Sequence, residues 1–362
     1  MRIKRATVAA VFISGVMVAL WVLFGSDWLD DRRTDQSFAD NCKDVASSGD
    51  VKYFISGKGT RANDTLYRAG PAGPHSEVLV SCRISRPEGP GAVDIRASRG
   101  NADQQVLRAT GHDSLYLRVN TSAPMGNGWP GVVTVTGTTS AHGTLVLTCG
   151  DDRGHLTVDV MAHVSNADFL RQEESRIALA RTSARVAQAA AERWGCEAPS
   201  GSPLPEAVPQ TPAHADQRSV SEAGGTCRAL AEAASVALDA GVTQVRETTS
   251  DATAPIEECY LLDRDGEKAF RLSALYGSFA KTYTISGFRR PSADASGRSE
   301  DGSLHWRRAT CPSPVGPALY LLSEVVNDDY ESQEAAPAVR QELVDAFAAE
   351  AVERRGCTLA TG

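Results

Sequence analysis

A helix-like run that ends Ala191-Glu192-Arg193-Trp194-Gly195-Cys196 in the middle of the chain returns near its C-terminus as Val352-Glu353-Arg354-Arg355-Gly356-Cys357. Each run closes a set of four cysteines: Cys42, Cys82, Cys149 and Cys196, then Cys227, Cys259, Cys311 and Cys357. The third and fourth cysteines stand 47 residues apart in the first set and 46 in the second. A glycine lies at the same distance beyond the second cysteine in each set, as Gly100 and Gly277. These agreements make the chain a tandem duplication, so whatever fold one copy adopts, the other must be able to adopt as well.

Two copies also suit the length, because 362 residues exceed what one hydrophobic core usually serves. Apolar residues at 42% and charged residues at 23% are globular proportions. A net charge of −8 without a basic stripe excludes non-specific nucleic-acid binding, which needs clustered Lys and Arg to neutralise phosphates.

The N-terminus assigns a compartment. Arg2, Lys4 and Arg5 precede Ala6 to Phe24, a stretch without a charged residue that spans roughly 28 Å as a helix, close to the hydrocarbon thickness of a bilayer. The basic flank and the acidic Asp27-Trp28-Leu29-Asp30-Asp31 that follows predict a cytoplasmic tail (1–5), a transmembrane helix (6–24) and a juxtamembrane linker (25–37), with the C-terminal bulk outside the cell membrane. Trp21-Val22-Leu23-Phe24 runs into Gly25-Ser26-Asp27 without a small-x-small cleavage site, which favours an anchor over a cleaved signal peptide. Eight cysteines outside a cytoplasm read as disulfides. No Cys-x-x-Cys occurs and no His lies three to five residues from a Cys or another His, so zinc is disfavoured.

Within copy one (38–201), a short helix around Cys42 leads to strands at Val78 to Ile84 and Val93 to Ala97. In copy two (224–362), Thr226 is a candidate N-cap for a helix bearing Cys227, and strands follow at Glu258 to Leu262 and Phe270 to Ala274. Thr148-Cys149 and Thr310-Cys311 close later strands, and Leu156 to Val160 and Leu319 to Leu322 supply one more in each copy. Ile177, Ala180, Ala184, Ala187, Ala191 and Trp194 form one face of the closing helix of copy one; Val339, Leu343, Phe347 and Ala351 do so in copy two, after Pro337. Gly195 and Gly356 stand where a C-terminal cap needs φ > 0. The expected fold class is α+β: two tandem domains, each an antiparallel sheet with an N-terminal and a longer C-terminal helix, after one transmembrane helix. The Pro-rich stretch between the copies (202–223 at its narrowest) reads as an extended spacer, and Pro291 to Gly302 as a mobile excursion.

A helix bearing a Cys, a strand bearing a Cys and a closing helix together resemble small exported actinobacterial domains of unknown function, over residues 38–196 and 224–357. The resemblance implies helix-to-strand disulfides Cys42–Cys82 and Cys227–Cys259. Four cysteines allow three pairings; with that choice, the near-equal spacings suit Cys149–Cys196 and Cys311–Cys357 as bonds that pin each closing helix to its strand. Arg83 and Tyr260 stand where that pattern often has a Trp after the strand Cys.

Several stretches imitate catalytic motifs. Gly126-Asn127-Gly128-Trp129-Pro130-Gly131 satisfies G-x-G-x-x-G, but Pro130 and the β-branched run Val132 to Val135 make it a turn before a strand rather than a dinucleotide site. Ser278-Phe279-Ala280-Lys281 matches the S-x-x-K of penicillin-recognising enzymes without their other motifs, and reads as an exposed strand. His155 and His163, eight apart, could share one strand face, and a Ser-His-Asp set converges only in space. Asp263-Arg264-Asp265-Gly266-Glu267 lacks the remaining calcium ligands and reads as a hairpin turn. No catalytic, metal or cofactor set is complete. The expectation is a non-catalytic binding or interaction module for an envelope component or partner protein; the alternative is an envelope hydrolase with one active and one degenerate copy.

Overall fold

Among the described residues sixteen strands form two antiparallel sheets that repeat one strand order. The structure is a computed structural model describing residues 30–361 apart from 56–58, 66–75, 88, 101–106, 108–109, 113–120, 137–138, 150–153, 165–168, 170, 199–202, 287–290, 314 and 326–334. Copy one contributes β1 (Arg61–Asp64), β2 (Ser76–Ser85), β3 (Ala92–Gly100), β4 (Thr121–Pro124), β5 (Gly131–Thr136), β6 (Ser140–Cys149), β7 (His155–His163) and β8 (Cys196–Glu197). Their order is β1-β2-β3-β7-β6-β5-β4, with β8 on β6. Copy two contributes β9 (Arg218–Ser219), β10 (Gln244–Glu247), β11 (Ile256–Leu262), β12 (Lys268–Tyr276), β13 (Ser296–Arg298), β14 (Leu304–Thr310), β15 (Pro317–Glu324) and β16 (Thr358–Leu359). Its run β10-β11-β12-β15-β14-β13 repeats β1-β2-β3-β7-β6-β5, and β16 joins β14 as β8 joins β6.

The helices are α1 (30–42 as described), α2 (Ser48–Val51), α3 (Glu173–Trp194), α4 (Ala229–Glu232), α5 (Ala234–Asp239), α6 (Ser278–Ser286) and α7 (Pro337–Arg355). In α3, Leu179, Ala180, Ala184, Ala187 and Ala191 bury against Leu145, Val158 and Val160 of the sheet. Small residues let this helix lie close: a Cβ on Gly143 of β6 would come within 2.0 Å of Ser183 Oγ. In α7, Leu343, Val344, Phe347 and Ala351 pack on Leu272, Tyr320 and Leu322. Both helices end on a left-handed glycine, Gly195 (φ 67°) and Gly356 (φ 63°), and the next residue is the cysteine that returns to the sheet. The recurring basic residues there have a use: Arg354 forks onto both Glu257 oxygens at 2.9 Å.

A third apolar cluster draws on both copies, bringing Val132 and Val146 of the first sheet together with Ile256, Leu275, Leu319 and Leu321 of the second. The layers therefore run α3, first sheet, second sheet, α7. This corrects the expected α+β layout with an N-terminal transmembrane helix. The sheets are eight-stranded arrays covered on both faces, and no helix among the described residues is long and apolar enough to cross a membrane. Residues 6–24 lie outside the described residues. The physical reason is that a half-solvated sheet alternates apolar with polar, whereas β11 is buried at every position and β5 at all but its last. Such strands need a second cover, which the other copy supplies.

Three local expectations also change. Thr226 caps no helix; its hydroxyl donates to the buried Glu258 carbonyl, and the segment after it breaks into α4 and α5. The Pro-rich stretch packs on copy one, with Trp129 Nε1 donating to the Pro203 carbonyl (3.1 Å), Arg181 Nε to Pro205 (2.7 Å) and Arg176 Nε to Val208 (3.2 Å). Prolines lack an N–H, but their carbonyls remain strong acceptors, and nearby side chains take them. The stretch Pro291 to Gly302 contains β13, paired with β14.

Four disulfides join Cys42 to Cys82, Cys149 to Cys196, Cys227 to Cys259 and Cys311 to Cys357, and all eight cysteines are used. Bonds of this number belong to an oxidising environment.

Candidate functional site: a cleft at the seam between the copies

Ser278 stands where β12 stops. Gly277 turns the chain with φ 57°, its N–H held by the Pro317 carbonyl (2.8 Å), and a Cβ there would come within 2.9 Å of the Val315 carbonyl. The chain continues as α6, with Phe279, Ala280 and Tyr283 buried in the third cluster. The exposed strand expected for Ser278 to Lys281 is thus a helix, because the apolar residues recur at helical steps once the glycine has ended the strand.

His155 opens β7 in copy one, and the face-to-face packing of the sheets brings it to Ser278 of copy two. Its Nδ1 lies 3.0 Å from Ser278 Oγ and its Nε2 3.4 Å away. Beside this pair is a cavity of about 440 Å³ lined by His155, Ala280, Lys281, Thr284, Arg308 and the Pro317 to Leu319 wall. Lys281 forms no ion pair among the described residues. Arg308 is anchored by donating from Nη2 to the Ser292 carbonyl at 2.7 Å. Burial lowers the His155 pKa, and the Lys281 charge lowers it further, so the imidazole is neutral at neutral pH and can accept a proton. Burial lowers the Arg308 pKa too, with Asp294 opposing.

The other motif residues do not converge here. His163, at the far end of β7, takes Asp94 through Nε2 (2.8 Å) and Ser140 through Nδ1 (3.3 Å), while Arg83 donates to the same Asp94 oxygen (2.8 Å). Ser140, His163 and Asp94 follow the order of a catalytic triad. They run across neighbouring strands, with His163 and Asp94 each about a third exposed; cross-strand pairing accounts for the set. Gly126 to Pro130 is a turn with positive φ at Gly126, Asn127 and Gly128, and β5 begins at Gly131. Asp263 Oδ1 accepts the N–H groups of Asp265 and Glu267 (2.9 Å each), so that carboxylate closes its own turn. Among the described residues no group of three or more His, Cys, Asp or Glu could hold a metal ion.

Sequence reasoning missed a buried polar clasp between the copies. Arg271 and Glu258, each with a fully buried side chain, form an ion pair. Arg271 also donates to the carbonyls of Gly111 (3.0 Å) and Thr110 (3.1 Å), and Glu258 Oε2 accepts the Ser122 N–H (2.7 Å). His112 lies against the pair, its Nε2 3.2 Å from Arg271 Nη2. Burial first, and then the Arg271 charge, hold His112 well below its usual pKa; burial lowers Arg271 to about 9. The available signal was a lone charge inside an apolar strand, as in Phe270-Arg271-Leu272, because a buried charge must be paired.

No family model and no curated protein matches the chain. Among solved structures, the crystal structure of the di-domain ARO/CYC StfQ from the steffimycin biosynthetic pathway aligns with 89% of this chain and 96% of that chain at 9% identity. Its TM-score of 0.14 carries no argument about fold or function.

Proposed function

We propose that the protein is an extracytoplasmic binding module, tethered to the cell membrane through residues 6–24, that holds a small amphipathic carboxylate of the envelope in the seam cleft. The observation that carries this reading is the lining of the cleft. Lys281, Arg308 and a half-buried His155 stand beside the apolar side chains of Ala280, Pro317 and Leu319, so a charged head and an apolar body each meet a suitable wall. The disulfides support the compartment, and the uncharged stretch Ala6 to Phe24 supports the tether.

Calorimetric titration of the full chain with hexanoate tests the ligand class. Lys281→Ala is expected to weaken binding about tenfold, equivalent to about 1.4 kcal/mol, and added salt should weaken it further. Undetectable hexanoate binding, or affinity unchanged in Lys281→Ala, would remove the proposal. In the same preparation the protein should stay with membranes through an alkaline wash; recovery in the medium with a new N-terminus beyond residue 24 would count against the tether.

A further inference from the structure

We infer that Ser278 is an acylatable nucleophile, with His155 as its general base, acting on short-chain carboxylic esters in the seam cleft. The inference rests on the binding reading, since the carboxylate that the cleft is proposed to hold is what ester hydrolysis would release there.

The geometry carries it. The Ser278 hydroxyl stands at a strand-to-helix turn with His155 Nδ1 at 3.0 Å and Nε2 at 3.4 Å, so nucleophile and base are in contact and a turn of the imidazole aligns one nitrogen with the hydroxyl for proton transfer. His155 and Lys281 line the cavity next to that contact, and Ser278 borders it through His155 and is partly exposed; in the inferred complex an ester carbonyl carbon stands against the hydroxyl with its oxygen toward the ammonium. Lys281 follows Ser278 by three residues on α6 and therefore lies on the same side of the helix. Burial and the Lys281 charge leave the His155 nitrogen unprotonated and open to a proton, and both oppose the imidazolium that forms.

The duplication does not repeat this pair in the sequence. Gly100 of β3 faces His155 across the ladder, and Gly277 receives the Pro317 carbonyl in the corresponding place, so Pro317 corresponds to His155. In the sequence Asn101 follows Gly100 as Ser278 follows Gly277. In the sequence the residues that correspond to Ser278 and His155 are therefore Asn101 and Pro317, which cannot serve as nucleophile and base. The inferred site takes its serine from copy two and its histidine from copy one, and neither copy alone contains it.

In the first half-reaction the Ser278 Oγ–H bond breaks as an Oγ–C bond forms to the ester carbonyl. The proton passes to the unprotonated nitrogen of His155. Collapse of the tetrahedral adduct breaks the C–O bond to the alkoxy group, which takes the proton from His155 and leaves as the alcohol. Water then attacks the acyl-serine, giving one proton to His155. The acyl carbon parts from Oγ as the carboxylic acid, and His155 returns the proton to Ser278. Ester and water are consumed, acid and alcohol are formed, and no redox partner is needed.

The test uses the full oxidised chain and a fluorescent fluorophosphonate. One adduct is expected on the tryptic peptide spanning residues 272–281, with fragmentation assigning it to Ser278 rather than Ser273. The initial labelling rate should fall at least tenfold in Ser278→Ala and in His155→Ala, stay at the parental rate in Ser140→Ala, and be accompanied by turnover of 4-nitrophenyl butyrate. Mapping the adduct on the parental protein does not depend on any variant folding. No adduct at Ser278, or a labelling rate unchanged in His155→Ala, would overturn the inference. If hexanoate still binds while labelling is absent, the dyad is inert and the binding reading stands. If hexanoate binding fails in the parent, the binding reading falls by itself.

Discussion

Arg271→Met is expected to lower folding stability by about 3–5 kcal/mol in urea titrations at pH 7.5. The side chain removed is fully buried, and its loss leaves the Glu258 carboxylate buried without the Arg271 cation and removes the Arg271 donor from the Thr110 and Gly111 carbonyls. The double variant Arg271→Met/Glu258→Gln should recover about 2 kcal/mol of that loss, because a neutral amide oxygen can still accept the Ser122 N–H while no charge is left unpaired. A loss below about 1 kcal/mol for the single variant would mean that the pair is hydrated in solution and that the copies are not clasped as described. The same cluster sets an acid limit. His112 is held below its unfolded value of 6.5, so the unfolded chain binds a proton that the folded chain refuses. Its contribution to stability is complete above about pH 6.5 and is lost as pH falls, at up to about 1.4 kcal/mol per pH unit. Protonation would also turn the nitrogen that faces Arg271 from an acceptor into a donor. His142 acts in the opposite sense: burial lowers its pKa but the Asp159 carboxylate outweighs burial and raises it, so its contribution is present at low pH and lost as pH rises through the folded value. The difference between His112→Gln and the parent, followed from pH 7.5 to 5.5, isolates the His112 term and should shrink on acidification.

Replacing Cys311 and Cys357 together by serine is expected to cost about 4 kcal/mol, and replacing Cys149 and Cys196 a similar amount. The loops closed span 46 and 47 residues, so the entropy withheld from the unfolded chain is nearly equal in the two copies. Each bond also fastens the end of a closing helix to its sheet: Cys196 pairs with Cys149 across β8 and β6, and Thr358 with Thr310 across β16 and β14. Calorimetry of the two double variants measures the cost, and non-reducing peptide mapping of the parent checks the connectivity. A disulfide between copies would contradict the duplicated architecture, and a loss under about 1 kcal/mol in either variant would mean that the reduced chain stays as ordered as the oxidised one.

What could be read from the residues alone was local or repeated in sequence. The cysteine spacing, the glycine after each closing helix, the helical face of Ala180, Ala184, Ala187 and Ala191, and the turns at Gly126 to Gly128 and Asp263 to Glu267 all report conformations set within a few residues or by comparison of one copy with the other. Continuous apolar strands such as Leu319-Tyr320-Leu321-Leu322 read only as strands under one helix layer, because an apolar run does not by itself tell one cover from two or name the second. For Ser278 the sequence was misleading: Ser278 to Lys281 contains only one helical turn, and Gly277 ends the strand by a φ that its neighbours do not reveal.

By itself the sequence determined that the chain is two copies of one disulfide-tied unit, each closed by a long helix, because pattern, spacing and cysteine chemistry act along the chain. Only the tertiary structure decided that the sheets pack against each other, that Arg271 and Glu258 clasp Thr110, Gly111 and Ser122, and that His155 meets Ser278. Those partners are separated by more than a hundred residues, and their meeting follows from burying two apolar sheet faces on each other, a driving force proportional to area and blind to the identity of the polar residues it traps. The polar contacts at the seam are then consequences of that packing, held to strict geometry because a buried polar group without a partner is costly.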